Sequence, residues 1–305
     1  MIRREAVIDI GSNSVRLLVA DMEGRHIVPV TKKLNTTRIS AGQGPGGILS
    51  HEAMERTVSA VSDFHRLAAG MGAFRVFCFA TAAVREAANR DVFIRLVNRR
   101  TGLLPRVLTQ EEEAAAGFAG VGHGEKRGVI DIGGGSTEFA MGSGPRPALK
   151  LSMRVGAVRA VKLYPPGDPA DGLTLQAMQE WVRNRLEPLL PQIREADQED
   201  TVWYGVGGTI TTLAAMDMYM TEYDPRRIQG YNLSRMRVKQ LLEELKSHTM
   251  EEIRNMPGLQ PERADIIIGG TVIFCEVLKQ LKLMGLKVSE TDNLEGGLLF
   301  CTGEI

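Results

Sequence analysis

Three short segments place small residues at the end of an apolar run: Gly11-Ser12-Asn13-Ser14, Gly133-Gly134-Gly135-Ser136-Thr137 and Gly205-Val206-Gly207-Gly208-Thr209. Glycine has no Cβ to hold an anion away from the backbone, and successive outward amides form an anion-binding concavity. Hydroxyls at Ser12, Ser14, Ser136, Thr137 and Thr209 can add hydrogen bonds. The chemistry these loops suit is phosphate binding. One such loop is ordinary turn chemistry, but two of the three carry an aspartate two residues before the first glycine. Asp9 and Asp131 sit inside apolar runs, where an unpaired carboxylate is costly. Either each caps a neighbouring loop, or the two face each other across a cleft and hold Mg²⁺ through water. No loop carries a P-loop or a dinucleotide-binding glycine pattern.

The elements that must position these loops follow from periodicity. Residues 6–10 and 16–20 read as strands of a hairpin tipped by the first loop, and 26–33 as a third strand. Gly42, Gly44, Pro45, Gly46 and Gly47 form a loop. Ser50 caps a helix in which Met54, Val58, Val61, Phe64 and Leu67 recur at helical spacing, and Gly70 stops it. A buried strand at 74–79, a helix near 89–100 and a strand at 105–108 come next. Thr109-Gln110-Glu111-Glu112 is a capping box that opens another helix.

The pattern then restarts. Val-Ile-Asp-Ile-Gly at 7–11 returns at 129–133, with Ser14 falling opposite Ser136. Each copy is a strand running into a Gly/Ser loop, and the copies stand about one domain length apart. The economical reading is two related α/β domains, each opening with a hairpin whose loop faces a shared cleft. In the second half, Met178, Val182, Leu186, Leu189 and Ile193 mark a helix that Pro188 and Pro191 should kink or end. A strand at 201–204 runs into the third loop, with a helix from about 210. An apolar helix follows from Pro261 to about Met284, and a last strand at 286–290. The best boundary lies within 119–127, giving domains 1–122 and 123–293, with a helix at about 294–305 packing back on the first.

The formal net charge is zero, so bulk electrostatics gives no case for nucleic-acid binding, and a polyanionic substrate would need local basic patches. Lys32, Lys33, Arg38, Arg99, Arg100, Arg154, Arg159, Arg226 and Arg227 are candidates to guide one, although most read as ordinary surface charges. Cys78, Cys275 and Cys301 are odd in number and far apart, which fits a reducing cytoplasm rather than a disulfide framework. His26, His51, His65, His123 and His248 show no ligand spacing. No signal peptide is visible, and no apolar run reaches the ~18–20 residues of a membrane helix, so no membrane partner is expected.

The segments VIDIGSNSVRLLVAD at 7–21, ATAAVREAAN at 80–89 and VIDIGGGSTEF at 129–139 resemble motifs of the exopolyphosphatase / guanosine pentaphosphate phosphatase (Ppx/GppA) family. VGAVR at 155–159, GVGGT at 205–209 and PERADIIIGG at 261–270 extend the likeness to nearly the whole chain. The resemblance implies an actin-like fold, with two ribonuclease-H-like domains and the active site between them. It implies Mg²⁺-dependent attack of water, with Mn²⁺ as a substitute, on the terminal phosphate of polyphosphate or guanosine pentaphosphate. It also implies a homodimer.

Carried over position by position, the resemblance makes Glu113 the catalytic glutamate and Arg85 the phosphate-binding arginine. The phosphate-binding set is Gly11, Ser12, Asn13, Ser14 and Arg16 in the first motif, Gly133, Gly134, Gly135, Ser136 and Thr137 in the second, and Gly207, Gly208 and Thr209 in the third. Asp9, Asp131 and Glu138 are the implied metal ligands. Two departures stand out. Asn293-Leu294-Glu295-Gly296-Gly297 occupies the place of a Gly-Leu-Arg-Glu-Gly-like segment, so a late arginine is lost. The C-terminal helical domains of longer members are not expected in a chain that reaches Ile305.

Plainer local readings stand beside these. Glu111, Glu112 and Glu113 open a helix, where acids favour the dipole. Arg85 reads equally as a solvated helix residue, and Glu138 as an exposed strand acid. Gly269-Gly270 inside an apolar helix implies close packing or a nearby ligand. The competing functions are a small-molecule kinase of the same fold, a nucleotide-dependent switch, and a non-catalytic binder of polyphosphate or alarmone.

Overall fold

The computed structural model describes residues 2–43, 47–122, 124–197 and 200–305. Gly44, Pro45 and Gly46 of the expected loop, and His123, lie outside the described residues. The chain divides into two units, Met1–Gly120 with Asn293–Ile305, and Val121–Asp292.

The first unit opens with three antiparallel strands, β1 (Arg3–Ile10), β2 (Val15–Glu23) and β3 (His26–Asn35). Helix α1 (His51–Gly70) starts at Ser50, whose hydroxyl accepts from the Ala53 amide. Then come β4 (Arg75–Ala80), α2 (Ala82–Arg85), α3 (Arg90–Thr101), β5 (Arg106–Val107) and α4 (Gln110–Gly120). β4 pairs parallel to both β1 and β5, so the described sheet runs β3-β2-β1-β4-β5.

The second half of β1, Ala6–Ile10, is apolar except for Asp9 because both of its faces are covered. Ala6, Ile8 and Ile10 join Val58, Val61 and Phe93 on the face of α1 and α3. Val7 and Leu18 pack on the other face with Leu294 and Leu298 of the last helix, α13 (Asn293–Thr302).

The second unit repeats the plan. β6 (Arg127–Ile132), β7 (Thr137–Gly142) and β8 (Leu149–Met153) are antiparallel, and β9 (Val202–Val206) pairs parallel to β6. Between β8 and β9 lie α5 (Ala157–Leu163), α6 (Gly172–Leu186) and α7 (Leu190–Ala196). The two prolines act as expected: α6 ends at Leu186, a 3₁₀ turn covers Glu187–Leu189, and α7 restarts with Pro191 in its first turn.

After β9 come α8 (Gly208–Asp217), α9 (Pro225–Ile228), β10 (Asn232–Ser234), α10 (Arg235–Ser247), α11 (Met250–Arg254), α12 (Ala264–Gln280) and β11 (Gly285–Val288). The described sheet runs β10-β11-β9-β6-β7-β8. Without the antiparallel edge strand β10, this order is that of the first unit. Both are ribonuclease-H-like, and the duplicated plan is the actin-like α/β fold. Among the described residues, no helix is long and apolar enough to cross a membrane.

Glycines set the closest helix contacts. A Cβ on Gly270 would lie 2.5 Å from Thr209 Oγ1, and one on Gly269 2.7 Å from Val161, so this pair serves packing of α12 on α8 and α5. In the first unit, a Cβ on Gly296 of α13 would lie 1.7 Å from the Ala116 carbonyl oxygen of α4. Gly296→Ala is therefore expected to cost about 1–3 kcal/mol of stability in urea unfolding, the range for overpacking. Gly70→Ala, with nothing within 4 Å of the added carbon, should be neutral or stabilising. Equal unfolding midpoints for the two variants would contradict this account of α13.

Candidate active site

The two hairpin turns have the same geometry. Gly11 N donates to Ser14 O at 3.0 Å, and Gly133 N donates to Ser136 O at 3.0 Å. Among the described residues, the amides of residues 12–14 and 134–136 take no part in the backbone hydrogen bonds around them. Their carbonyls are held from behind. In the first unit, Arg38 N donates to Asn13 O at 2.7 Å and Ser40 Oγ donates to Ser12 O at 3.0 Å. In the second, Ala157 N and Val158 N donate to Gly133 O and Gly134 O, both at 2.9 Å. A trans peptide points its N–H opposite to the C=O of the preceding residue, so holding these carbonyls turns the amides of Asn13, Ser14, Gly134 and Gly135 outward. Residues 155–157 lie flush on the loop: a Cβ on Gly156 would come within 2.5 Å of the Gly135 and Ser136 nitrogens. Each turn is thus a preformed cup of N–H donors.

The acids beside the turns are placed by register. Asp9 pairs with Arg16 across β1 and β2, and the guanidinium donates to Asp9 Oδ2 from Nη2 at 2.7 Å and from Nε at 3.1 Å. Arg16 also donates to the Asn293 side chain. The equivalent pair in the second unit is Asp131 with Glu138. Both are buried, so Glu138 is not the exposed strand acid that was one sequence reading, and Ser152 Oγ donates to Glu138 Oε1 at 2.8 Å. Gly207, at φ +88°, gives Asp131 its room, since a Cβ there would lie 2.5 Å from Asp131 Oδ1. Two like charges directly opposite on a hairpin repel.

The donor set fits Mg²⁺, which takes hard oxygen ligands and is usually held by one or two carboxylates plus substrate phosphates and water. Among the described residues, no group of three or more His, Cys, Asp or Glu side chains is arranged to hold a metal without such help.

The remaining first-unit residues gather at the carboxyl ends of β4 and β5, where open α/β sheets place their ligands. The capping box forms: Glu112 N donates to Thr109 Oγ1 at 3.1 Å, and Thr109 N to Glu112 Oε2 at 2.9 Å. That leaves Glu112 at the cap, Glu111 exposed and Glu113 buried. Arg85 Nη1 donates to Glu113 Oε2 at 2.6 Å and to Leu108 O at 3.0 Å. Arg85 Nη2 is buried and has no hydrogen-bond acceptor among the described residues, a donor arrangement that suits an anion. Arg85 is therefore an inward-facing ion-pair partner and not a solvated one. Burial pushes the Glu113 carboxyl above the ordinary glutamate range and the Asp9 charge adds to this, while Arg85 and the Thr81 hydroxyl pull it down.

A sequence profile of the Ppx/GppA phosphatase family matches residues 18–301. The chain belongs to that family. It is 34% identical over 321 residues to Exopolyphosphatase 2 of Mycobacterium tuberculosis, covering 98% of this chain and 99% of that protein. It is 31% identical over 315 residues to a bifunctional 3-dehydroquinate synthase/phosphatase of Fusobacterium nucleatum, and spans 46% of that longer protein. The crystal structure of the Aquifex aeolicus Ppx/GppA family member superposes with a TM-score of 0.83 at 28% identity, covering 100% of this chain and 99% of that one. An exopolyphosphatase from Cytophaga hutchinsonii gives a TM-score of 0.89 at 25% identity, covering 99% and 98%.

Several Ppx/GppA motif side chains are engaged within the fold. Thr137 Oγ1 donates to Val155 O at 2.6 Å, and Thr209 packs on Gly270. Gly208 admits the Arg263 guanidinium, whose Nη1 would lie 2.0 Å from a Cβ there. Where the expected late arginine is missing, Glu295 is buried and pairs with Lys32 Nζ at 2.5 Å. Sequence reasoning did not single out Thr81, Ser40 or Arg263. Thr81 and Arg263 lie inside segments already recognised as family-like, and that is the signal that points to them.

Replacing Arg85 tests the ion pair. A buried pair broken on one side costs about 3–5 kcal/mol. Glu113 has a raised folded-state pKa, so the stability it contributes is present below the ordinary glutamate value and lost as pH rises through the folded value. Without Arg85 the folded value rises further. Urea unfolding of Arg85→Ala is thus expected to show a larger deficit against the parent at pH ~8 than at pH ~4.5, the sign that linkage requires for a carboxyl raised by folding. A deficit independent of pH would show that Glu113 does not depend on Arg85 for its charge.

Proposed function

We propose that this Ppx/GppA phosphatase releases terminal orthophosphate from inorganic polyphosphate, and that guanosine pentaphosphate, which presents the same terminal phosphoanhydride, is a second substrate. The observation that carries the reading is the repeated turn: two strapped loops with outward amides, each beside buried acids. The similarity to Exopolyphosphatase 2 of Mycobacterium tuberculosis along nearly the whole of both chains supports polyphosphate as the substrate.

Phosphoryl transfer needs positioning and charge neutralisation more than covalent chemistry by the protein. In this reading the amides of residues 12–14 and 134–136 bind phosphate oxygens. Arg85 offers Nη2 to the phosphoryl group. Asp131 and Glu138 would hold Mg²⁺, which when bound neutralises charge on the phosphate oxygens. Asp9, implied as a third ligand, has Oδ2 engaged by Arg16, so its contribution goes through that pair. Glu113 accepts a proton from water as the water oxygen bonds to the terminal phosphorus and the bridging P–O bond breaks. The shortened chain leaves with the bridging oxygen, and orthophosphate is released.

A raised carboxyl pKa suits a general base, because efficiency peaks when the base titrates near the working pH. The cytoplasm, where the three thiols of Cys78, Cys275 and Cys301 stay reduced, and a homodimeric state complete the proposal.

The experiment is phosphate release from polyphosphate and from guanosine pentaphosphate, with and without Mg²⁺. Glu113→Gln is expected to lower kcat by ~10²–10⁴-fold, the range for loss of a general base. Asp131→Asn should raise the Mg²⁺ concentration needed for half-maximal rate. Near-normal turnover by Glu113→Gln, or full rates in excess chelator, would remove the corresponding role. Incorporation of labelled phosphate into an organic acceptor would instead favour a kinase.

A further inference from the structure

The second phosphate loop has three carbonyls to restrain, and all three are held from the side of α5. Gly133 O accepts from Ala157 N at 2.9 Å. Gly134 O accepts from Val158 N at 2.9 Å and Arg159 N at 3.1 Å. Gly135 O accepts from Arg159 Nε at 2.9 Å. The first two peptides are therefore set by backbone. Among the described residues, the third has a side chain as its donor, and that third peptide carries the Ser136 N–H. Fixing its carbonyl toward α5 turns the Ser136 amide the same way as the amides of Gly134 and Gly135. Gly-Gly-Gly has no intrinsic preference that would hold this orientation, since glycine populates both signs of φ about equally. The first unit fills the matching role with a backbone amide and a hydroxyl, at Asn13 O and Ser12 O.

We infer that Arg159 is a positioning residue of the reaction: its Nε clamps the Gly135 carbonyl and so completes the three-amide cup of the second loop. The inference rests on the reading that this loop binds substrate phosphate. It differs from a surface arginine that merely attracts a polyanion, because the role lies in a directed N–H at Nε, which lysine lacks.

Arg159→Ala and Arg159→Lys, assayed on polyphosphate across a salt series, separate the two roles. Positioning predicts that both variants lose kcat, by about 10–100-fold for a misaimed donor in a phosphoryl-transfer site, with KM changed less and the salt dependence of kcat/KM unchanged. Ethylguanidinium added to Arg159→Ala should restore part of kcat, which neither a general loss of stability nor a lost surface charge would allow. The inference is overturned if Arg159→Lys keeps parental kcat, if the loss in Arg159→Ala lies wholly in KM and fades with salt, or if ethylguanidinium restores nothing. The parent enzyme separates the levels of the argument. If it releases no phosphate from polyphosphate, the functional reading fails. Binding of inorganic phosphate is then the readout for Arg159, expected to weaken about tenfold in both variants if each loses about one hydrogen bond to the anion, and unchanged binding overturns the clamp.

Discussion

A carboxylate carried into an apolar strand has to be neutralised, and each unit meets that requirement differently from the same starting hairpin. Asp9 and Asp131 occupy equivalent places, two residues before a turn closed by the same glycine-to-serine hydrogen bond. Opposite Asp9 stands an arginine, and opposite Asp131 a second acid. The first hairpin therefore carries its own counter-charge, and Arg16 extends the link to Asn293 at the start of α13. The second sets two buried acids opposite each other, hard oxygen donors whose charge a bound cation would neutralise. A single change of sign at one cross-strand position thus divides the labour between two copies of one motif. That is the physical reason for assigning the proposed cation to Asp131 and Glu138 ahead of Asp9.

The loops depend on what lies behind them. A run of glycines can offer its amides to an anion, but it has equal freedom to offer its carbonyls. The chain after the third strand settles the matter in both units by returning to hold those carbonyls. In the second unit this return fits only because residue 156 is glycine, whose absent Cβ leaves the loop backbone undisturbed. Gly156 has an extended φ of −144°, so sterics and not backbone conformation demand glycine there.

Much of this was legible in the sequence. The repeat at 7–11 and 129–133 gave the duplicated sheet, because a strand ending in a Gly/Ser turn is a local signal. Ser50 and Thr109 marked helix starts through hydrogen bonds made within four residues. What escaped was non-local. The pairing of Asp9 with Arg16, and of Asp131 with Glu138, requires the hairpin register, which the turn's closing hydrogen bond fixes. The plainer reading of Glu138, an exposed strand acid beside its implied role as a metal ligand, stood open because alternation along one strand cannot show that β8 covers its flank. The edge strand β10, three residues long, is too short for periodicity. Helix α10 carries Val238, Leu241, Leu242 and Leu245 at clear helical spacing and was legible but passed over. Gly269-Gly270 was ambiguous between packing and ligand until Thr209 and Val161 were found against it.

The position of Glu113 joins these strands of argument. Its helix, α4, is pressed by α13 through Gly296, so the last residues of the first unit, distant in sequence, fix where the acid stands. The loss of the late arginine sharpens the point: with Glu295 in that segment, Lys32 of β3 supplies the cation, and α13 stays tied to the sheet. The acid so placed is held in tension. Burial favours its neutral form, which cannot accept a proton, while Arg85 and Thr81 favour the charged form, which can. Removing Arg85 would leave burial and the Asp9 charge to push the Glu113 carboxyl further up, toward the form that cannot accept a proton, whereas a stronger pairing would pull it down and weaken it as a base. Arg85 therefore has two duties that cannot be separated by position alone. One amino group keeps Glu113 ionisable, and the other, with no acceptor within the described fold, is left for an anion.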